Sequence, residues 1–328
     1  MTAAVPILVI TGQTASGKER LAVEVAARLG GEIISADSMK VYRGMDIGTA
    51  KASAEQRAKA PHHLLDVADP GETFSTARWL HLAEEAIRDV HARGRVAVVS
   101  GGTPLYLKAL LEGLFEGPSA DAGVRAHLRE EADRRGTPAL HERLSQVDPA
   151  AARRIHPNDL RRIVRALEVW ELTHAPISDL QGQWGSRTGP YGSLWDTGPY
   201  GRAVYRPLLV AVRRNPGDLT RRITERVGRM MDAGLIEEVR QLAARTDGLA
   251  KGPRQALGCA DVLEFLDGRL SEEELAPAIV AHTRQFARRQ MTWLRRFEGI
   301  KWLDAAPDTD AATLADRVVE LWRRHMHV

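Results

Sequence analysis

The stretch VPILVITGQTASGKERLAVEVAARLGG, residues 5–31, decides the fold class. Val5 to Ile10 is a short, continuous apolar run rich in β-branched residues, the pattern of a parallel strand buried on both faces. Gly12 to Gly17 is a turn. From Lys18 to Leu29 the spacing becomes helical, with Leu21, Val25 and Leu29 on one face. Gly30-Gly31 closes that helix, because glycine supplies the left-handed conformation of a C-terminal cap.

The same punctuation recurs outward from this unit. Glu32 to Ser35 reads as a second strand and delivers Asp37-Ser38. Ser75 is placed as the N-cap of a helix in which Leu80, Ala83, Ile87 and Val90 repeat until Gly94. Val96 to Val99 reads as a strand running into Gly101-Gly102-Thr103-Pro104, then a helix to about Leu111. Leu208 to Val212 is a later strand of the same sheet, with a helix from about Leu219 to Met231. The polar tips all follow strands, which in an open parallel sheet places them on one rim, the usual ligand site.

Ser119 to Leu180 reads as almost wholly helical, and Gly182 to Gly201 as a loop rich in Gly, Ser, Thr, Pro and Trp. Pro277 to Phe297 predicts a long basic helix, and Ala311 to Met326 an amphipathic one with Leu314, Val318, Leu321 and Trp322 inward. The expected layout is an α/β core, residues 1–118 and 202–328, interrupted by a helical, arginine-rich insertion with its connecting loop, residues 119–201.

Composition narrows the class. With 44% apolar and 27% charged residues in 328, disorder, collagen and fibrous repeats are poor fits. The single cysteine, Cys259, excludes an intramolecular disulfide and a thiolate zinc cluster of its own. The N-terminus lacks the shape of a signal peptide, and no apolar run approaches a membrane helix. A soluble, cytoplasmic protein is expected, monomeric for want of an exposed apolar seam. The 46 Lys+Arg against 43 Asp+Glu give a net charge of only +3, yet ten arginines fall between Arg125 and Arg165 and five between Arg284 and Arg296. Such concentration suggests a polyanionic partner, with solvated helix faces as the alternative.

Gly12, Gln13, Thr14, Ala15, Ser16, Gly17 and Lys18 follow the first strand and open the first helix. Backbone N–H groups, the helix's positive end and an ammonium there form a cradle for two linked phosphates. Such a motif usually ends in Ser or Thr, whose hydroxyl ligates Mg²⁺; here Glu19 stands instead. Glu19 is therefore either a carboxylate ligand for the metal or a first-turn Glu favoured by the helix dipole. Asp37 reads as a proton acceptor or as a turn cap with Ser38, and Thr103 as a base-edge contact or an N-cap. Trp293 and Trp302 read as base-stacking or core residues. His62-His63 and His156-Pro157-Asn158-Asp159 lack metal spacing, and the latter reads as an Asx-type turn. On residues alone, three readings stand: a transferase acting on RNA, a P-loop kinase with the insertion as a lid, and an RNA-binding protein with an inactive P-loop.

Longer strings add specificity. TASGKE at 14–19, ISADSMKVYRGMDIGTAK at 34–51, PHHLLDV at 61–67, GGTPLYLKALLEGL at 101–114, RIHPNDLRRIVRALEVWELT at 154–173 and RQFARRQMTWLRR at 284–296 resemble the tRNA dimethylallyltransferases over nearly the whole chain. That resemblance implies a P-loop NTPase-like open parallel sheet with a helical insertion. It implies transfer of a dimethylallyl group from dimethylallyl diphosphate to N6 of the adenosine at tRNA position 37, 3′-adjacent to the anticodon, releasing diphosphate. It implies Asp37 as general base, with Thr103 and Lys18 beside it in catalysis. The diphosphate falls to residues 12–19 and Arg222, and Mg²⁺ is the implied cofactor; Glu19, standing where the family has Ser or Thr, remains either its ligand or a first-turn residue. The anticodon stem-loop of tRNA falls to Asp37, Ser38, Met39, Lys40, Thr103, Arg125, Arg161, Arg162, Ile163, Val164 and Arg165. The chain departs from the family's habit at Gln13 (usually Pro), Glu19 (usually Ser or Thr), Cys259 (usually Tyr) and Phe286 (commonly Tyr).

Overall fold

The structure is a computed structural model that describes residues 5–113, 117–118, 120–181 and 205–327. The expected loop at 182–201 lies outside the described residues. The chain folds as two compact units, Met1–Leu111 with Leu194–Val328, and Glu112–Ser193.

The first unit is built on a six-stranded, all-parallel sheet. Its strands are β1 (Val5–Gly12), β2 (Glu32–Ser35), β3 (His62–His63), β4 (Ala97–Gly101), β5 (Tyr205–Arg214) and β6 (Lys301–Ala305), in spatial order β3-β2-β4-β1-β5-β6. Register places Ile7 opposite Ala97 on one side and Pro207 on the other. Ile7, Leu8, Val9 and Ile10 are wholly buried, as their unbroken apolar run requires. One sheet face is covered by α1 (Lys18–Leu29) and the C-terminal helix Ala311–Met326, where Leu21, Val25, Leu314, Val318 and Trp322 share a core with β-strand residues.

The remaining helices of this unit are α2 (Ala54–Lys59), α3 (Thr76–Ala92) and α4 (Pro104–Glu112) before the insertion. The insertion carries α5 (Ala122–Arg135), α6 (Thr137–Val147), α7 (Pro149–Arg154), α8 (Leu160–Thr173) and α9 (Ile177–Leu180), closed around Leu128, Leu140, Leu144, Ile163 and Leu167. After it come α10 (Pro216–Asp232), α11 (Leu235–Ala243), α12 (Lys251–Arg254), α13 (Cys259–Leu266), α14 (Glu272–Leu294) and α15, the C-terminal helix above.

Several boundaries differ from the sequence reading for physical reasons. Ser75 caps α3 as expected, its hydroxyl accepting from Arg78 N. The helix expected from Leu219 begins at Pro216, capped by the Asn215 side chain, because its first turn is polar and gives no apolar period. The helix expected from Pro277 begins at Glu272, where Ser271 and Glu274 form a capping box and Pro277 is accommodated inside. Among the described residues, no helix is long and apolar enough to cross a membrane.

Candidate active site

The strand tips converge as the parallel sheet dictates: the P-loop follows β1, Asp37 follows β2 and Thr103 follows β4. Two close approaches set their spacing. A Cβ on Gly101 would lie 2.1 Å from the Ala36 carbonyl, so only glycine lets the β4 tip sit against the β2 tip. Beneath them Trp79, wholly buried and stacked on Tyr106 at 4.4 Å, donates its indole N–H to Ser35 O at 2.9 Å.

Gly17, at φ 95°, is the N-cap of α1 and places no side chain over the helix's first N–H groups. Those groups lack intrahelical acceptors, so the turn presents donors and positive dipole to an anion. The loop's carbonyls are engaged elsewhere. Arg214 Nε donates to Ser16 O at 2.7 Å, Arg222 Nε to Ala15 O at 2.9 Å, and Arg226 to the Thr14 hydroxyl at 3.2 Å. Lys18, nearly buried, rests its ammonium 3.4 Å from Gln13 O. Burial holds Lys18, Arg222 and Arg226 below their ordinary pKa values, against the pull of Glu19 on Lys18 and of Asp37 and Glu19 on Arg226, and reinforced at Arg222 by the Arg214 guanidinium.

A second set of bonds ties the loop to α14. Gln290 accepts from Thr14 N at 2.7 Å and donates to Gly102 O at 2.6 Å, while Gln13 donates to Ala287 O at 2.9 Å. Gln13 thus anchors the P-loop to a helix. Gln290 and the arginines 214 and 226 were not singled out from sequence. The 222/226 spacing, one turn of α10, was the available signal for Arg226; Gln290 lay unread among the arginines of RQFARRQMTWLRR.

Asp37 Oδ1 accepts from Met39 N at 2.9 Å and Lys40 N at 3.4 Å, so it does cap its turn. Its other oxygen takes no hydrogen bond from the described residues. The Thr103 hydroxyl accepts from Ser38 N at 3.0 Å and donates to Ser38 Oγ at 3.4 Å, which binds the two tips together. Lys18, Asp37, Thr103, Arg222, Arg226 and Phe286 all line a single cavity of about 780 Å³, whose wall holds eight lysines and arginines against four carboxylates. Cys259, the first residue of α13, is buried in a core shared with α11 and α14 and takes no part in the cavity wall.

Glu19 lines the cavity too, but its Oε1 lies 3.2 Å from the ammonium of buried Lys40. Burial opposes ionisation of Glu19, yet Lys40 and Lys18 outweigh it and hold the carboxyl below its ordinary range. A divalent cation on Glu19 would have to stand beside two ammonium groups. Among the described residues there is no cluster of three His, Cys, Asp or Glu that could hold a metal. The residues present do not fit a protein-held metal at Glu19.

The insertion sorts its arginines sharply. Arg125 and Arg165 both bond Glu168, which is wholly buried, at 2.8 and 2.6 Å. Arg143 bridges Glu131 and Glu171, and Arg162 bonds Asp159. Ile163 and Val164 lie on the apolar stripe of α8, their side chains buried in the insertion's core. Arg129, Arg134, Arg153, Arg154 and Arg161 are exposed, with no carboxylate in ion-pair range among the described residues. His156 Nδ1 accepts from Asn158 N and Asp159 caps α8, the expected turn. Trp293 and Trp302 are half-buried, each under an arginine, Arg296 and Arg213.

An open parallel sheet whose first strand feeds a lysine-bearing glycine loop defines the class: an α/β protein of P-loop type, with an acidic turn opening onto the same cavity. Comparison with known proteins narrows the class further. Residues 40–297 match the family model described as IPP transferase. The chain is 48% identical to a tRNA dimethylallyltransferase of Anaeromyxobacter sp. (strain Fw109-5), covering 95% of this chain and 98% of that one. It is 43% identical to the enzyme of the same name from Geobacter sulfurreducens, covering 93% and 94%. Among solved structures, a full-length tRNA isopentenylpyrophosphate transferase from Bacillus halodurans superposes with a TM-score of 0.70 at 35% identity, covering 98% and 97%. A eukaryotic dimethylallyltransferase captured acting on tRNA superposes at 0.76, with 26% identity over 97% of this chain and 77% of that one. The chain belongs to the IPP transferase family, the tRNA dimethylallyltransferases.

Proposed function

We propose that this protein transfers a dimethylallyl group from dimethylallyl diphosphate to N6 of the adenosine at position 37 of tRNA. The carrying observation is that Lys18 and Asp37 open onto one cavity. Diphosphate sits in the uncapped N-terminus of α1, with Lys18 and Arg222 supplying charge. As the allylic C–O bond breaks, negative charge grows on the phosphate oxygens these groups hold, so stabilisation increases toward the transition state. The N6 nitrogen attacks the allylic carbon, and Asp37, through the oxygen not bonded to its own turn, takes the N6 proton. Thr103 meets the base edge, within the limits set by its bonds to Ser38.

The adenosine reaches the donor by extrusion from the anticodon loop, which costs least where the strand is already single. The exposed insertion arginines, Arg161 with Arg153 and Arg154, supply sequence-independent contacts to the RNA backbone, while Arg125 and Arg165 act through Glu168 to hold the insertion's shape. Mg²⁺ enters as a counter-ion of the diphosphate in solution, without Glu19 as its ligand. The setting is the cytoplasm, and the protein acts as a monomer.

The test is incubation with unmodified tRNA and dimethylallyl diphosphate, followed by nuclease digestion and mass detection of N6-prenyladenosine. Product is expected. Nucleoside triphosphate turnover without tRNA affinity would favour a kinase instead, and tRNA binding without product an inactive P-loop.

A further inference from the structure

In P-loops that end in Ser or Thr, a hydroxyl at the position of Glu19 places a divalent cation against the phosphates. Here that position carries a carboxylate, and what lies against it is an ammonium: Lys40 Nζ is 3.2 Å from Glu19 Oε1. Lys40 comes from the turn after β2, on the segment whose N–H groups are fixed by Asp37. Its side chain is 5% exposed, against 34% for Glu19, and both line the cavity with Lys18. An ammonium so deeply buried needs a fixed counter-charge, and Glu19 supplies it.

We propose that Lys40, anchored by Glu19, occupies the place of the P-loop divalent cation, so that this chain binds diphosphate without a protein-held metal. An ammonium carries three donors, of which one is directed to Glu19; the others remain for phosphate oxygens. Glu19 is then a positioning residue, acting through Lys40. Its charge does not spoil the site, because the cavity wall keeps a surplus of four cations over carboxylates. The assignment rests on the diphosphate-binding reading of the cavity, and its test is arranged to fail separately from the transferase reading.

The experiment is calorimetric binding of inorganic pyrophosphate to the full chain, in EDTA and in excess Mg²⁺, with no RNA present. Wild type is expected to bind in both, its affinities within about threefold. Lys40→Gln should lose about tenfold or more in EDTA, the worth of a charged hydrogen bond, and recover in Mg²⁺ as Glu19 becomes free to take the metal. Lys40→Arg should keep metal-free binding. If Lys40→Gln does not fold, Glu19→Gln gives the same readout, since Lys40 loses its anchor and metal-free binding falls. The Glu19→Thr/Lys40→Gln double variant should bind only with Mg²⁺. A wild type that binds pyrophosphate only with Mg²⁺, or a folded Lys40→Gln that binds as wild type in EDTA, would overturn the assignment. Prenyladenosine formed by a wild type of that first kind would overturn it while leaving the transferase reading standing. Metal-free binding lost in Lys40→Gln, with no prenyladenosine formed by the wild type, would keep it and remove the transferase reading.

Discussion

The P-loop wall and the insertion both concentrate arginine, but they use it in opposite ways. Around the P-loop, Arg222 and Arg226 bond neutral acceptors, a carbonyl and a hydroxyl of the loop itself, so their charge stays uncancelled for an incoming anion. In the insertion, Arg125, Arg143, Arg162 and Arg165 are each bonded to a carboxylate. The difference shows that a count of basic residues locates an anionic partner only roughly. Which arginine is free to meet it depends on the acceptor each one already has.

Substitution of Asp37 by Ala probes the cavity side most severely. Prenyl transfer is expected to fall by roughly 10² to 10⁴, the usual worth of a positioned base, with tRNA affinity little changed. Full activity in Asp37→Ala, read by mass of the modified nucleoside, would remove the carboxylate from the mechanism.

Glu168 sharpens the comparison from the other side. Removing it by Glu168→Ala leaves Arg125 and Arg165 facing an empty, wholly buried position. The expected cost is about 2–3 kcal/mol, below the full penalty of a broken buried pair because both guanidinium groups are partly solvated. Urea unfolding of the full chain measures it, and an unchanged midpoint would mean the cluster is not structural. The sign of its pH dependence follows from the carboxyl. Burial opposes ionisation of Glu168, but bonds from Arg125, Arg165 and Asp121 N outweigh it and lower its pKa below the ordinary 4.5. The stabilisation is therefore complete above that value and lost as pH falls through the folded one, so wild type and Glu168→Ala should converge in acid.

Gln290 carries a smaller expectation. Gln290→Ala breaks two bonds that join Thr14 and Gly102 across the cavity floor, and kcat/KM should fall by about tenfold. The loss should appear mainly in kcat, since the residue orients the P-loop rather than touching the donor.

How much of this was written in the chain varies with what each residue does. Strands β1, β2 and β4 were legible because they are central, buried on both faces and therefore continuously apolar, and their tips were legible because ligand-binding turns need glycine and small polar residues. Edge strands were not: His62–His63 is two residues long, and Lys301–Ala305 is short and places Lys301 and Asp304 around only two large apolar residues, as a loop also could. Strand β5 runs from Tyr205 to Arg214, past the apolar Leu208 to Val212, because its flanking arginines and Pro207 break the pattern that marks a strand. Of the candidate site, Lys18, Asp37 and Thr103 come together in one cavity. The pairings of Glu19 with Lys40 and of Arg125 with Glu168 could not be read, since they join residues 21 and 43 positions apart whose meeting depends on the finished packing.

The smallest expected effect separates the two kinds of insertion arginine. Arg161 opens α8 on its solvent side with no carboxylate in range among the described residues, whereas Arg165, one turn on, is bonded to Glu168 and to Pro118 O. If Arg161 meets RNA phosphate, Arg161→Ala should weaken tRNA binding by roughly threefold to tenfold and reduce the slope of log affinity against log salt by about one, with no change in unfolding midpoint. Arg165→Ala should do the reverse: lower the midpoint and leave the salt slope nearly intact, because a guanidinium already held against a buried carboxylate is poorly placed to meet RNA phosphate. Filter binding across a salt series, paired with unfolding of the same variants, reads both quantities. A salt slope that falls equally in the two variants would mean that the Glu168 bond does not withhold Arg165 from RNA, and the distinction between structural and free arginines would have to be drawn elsewhere.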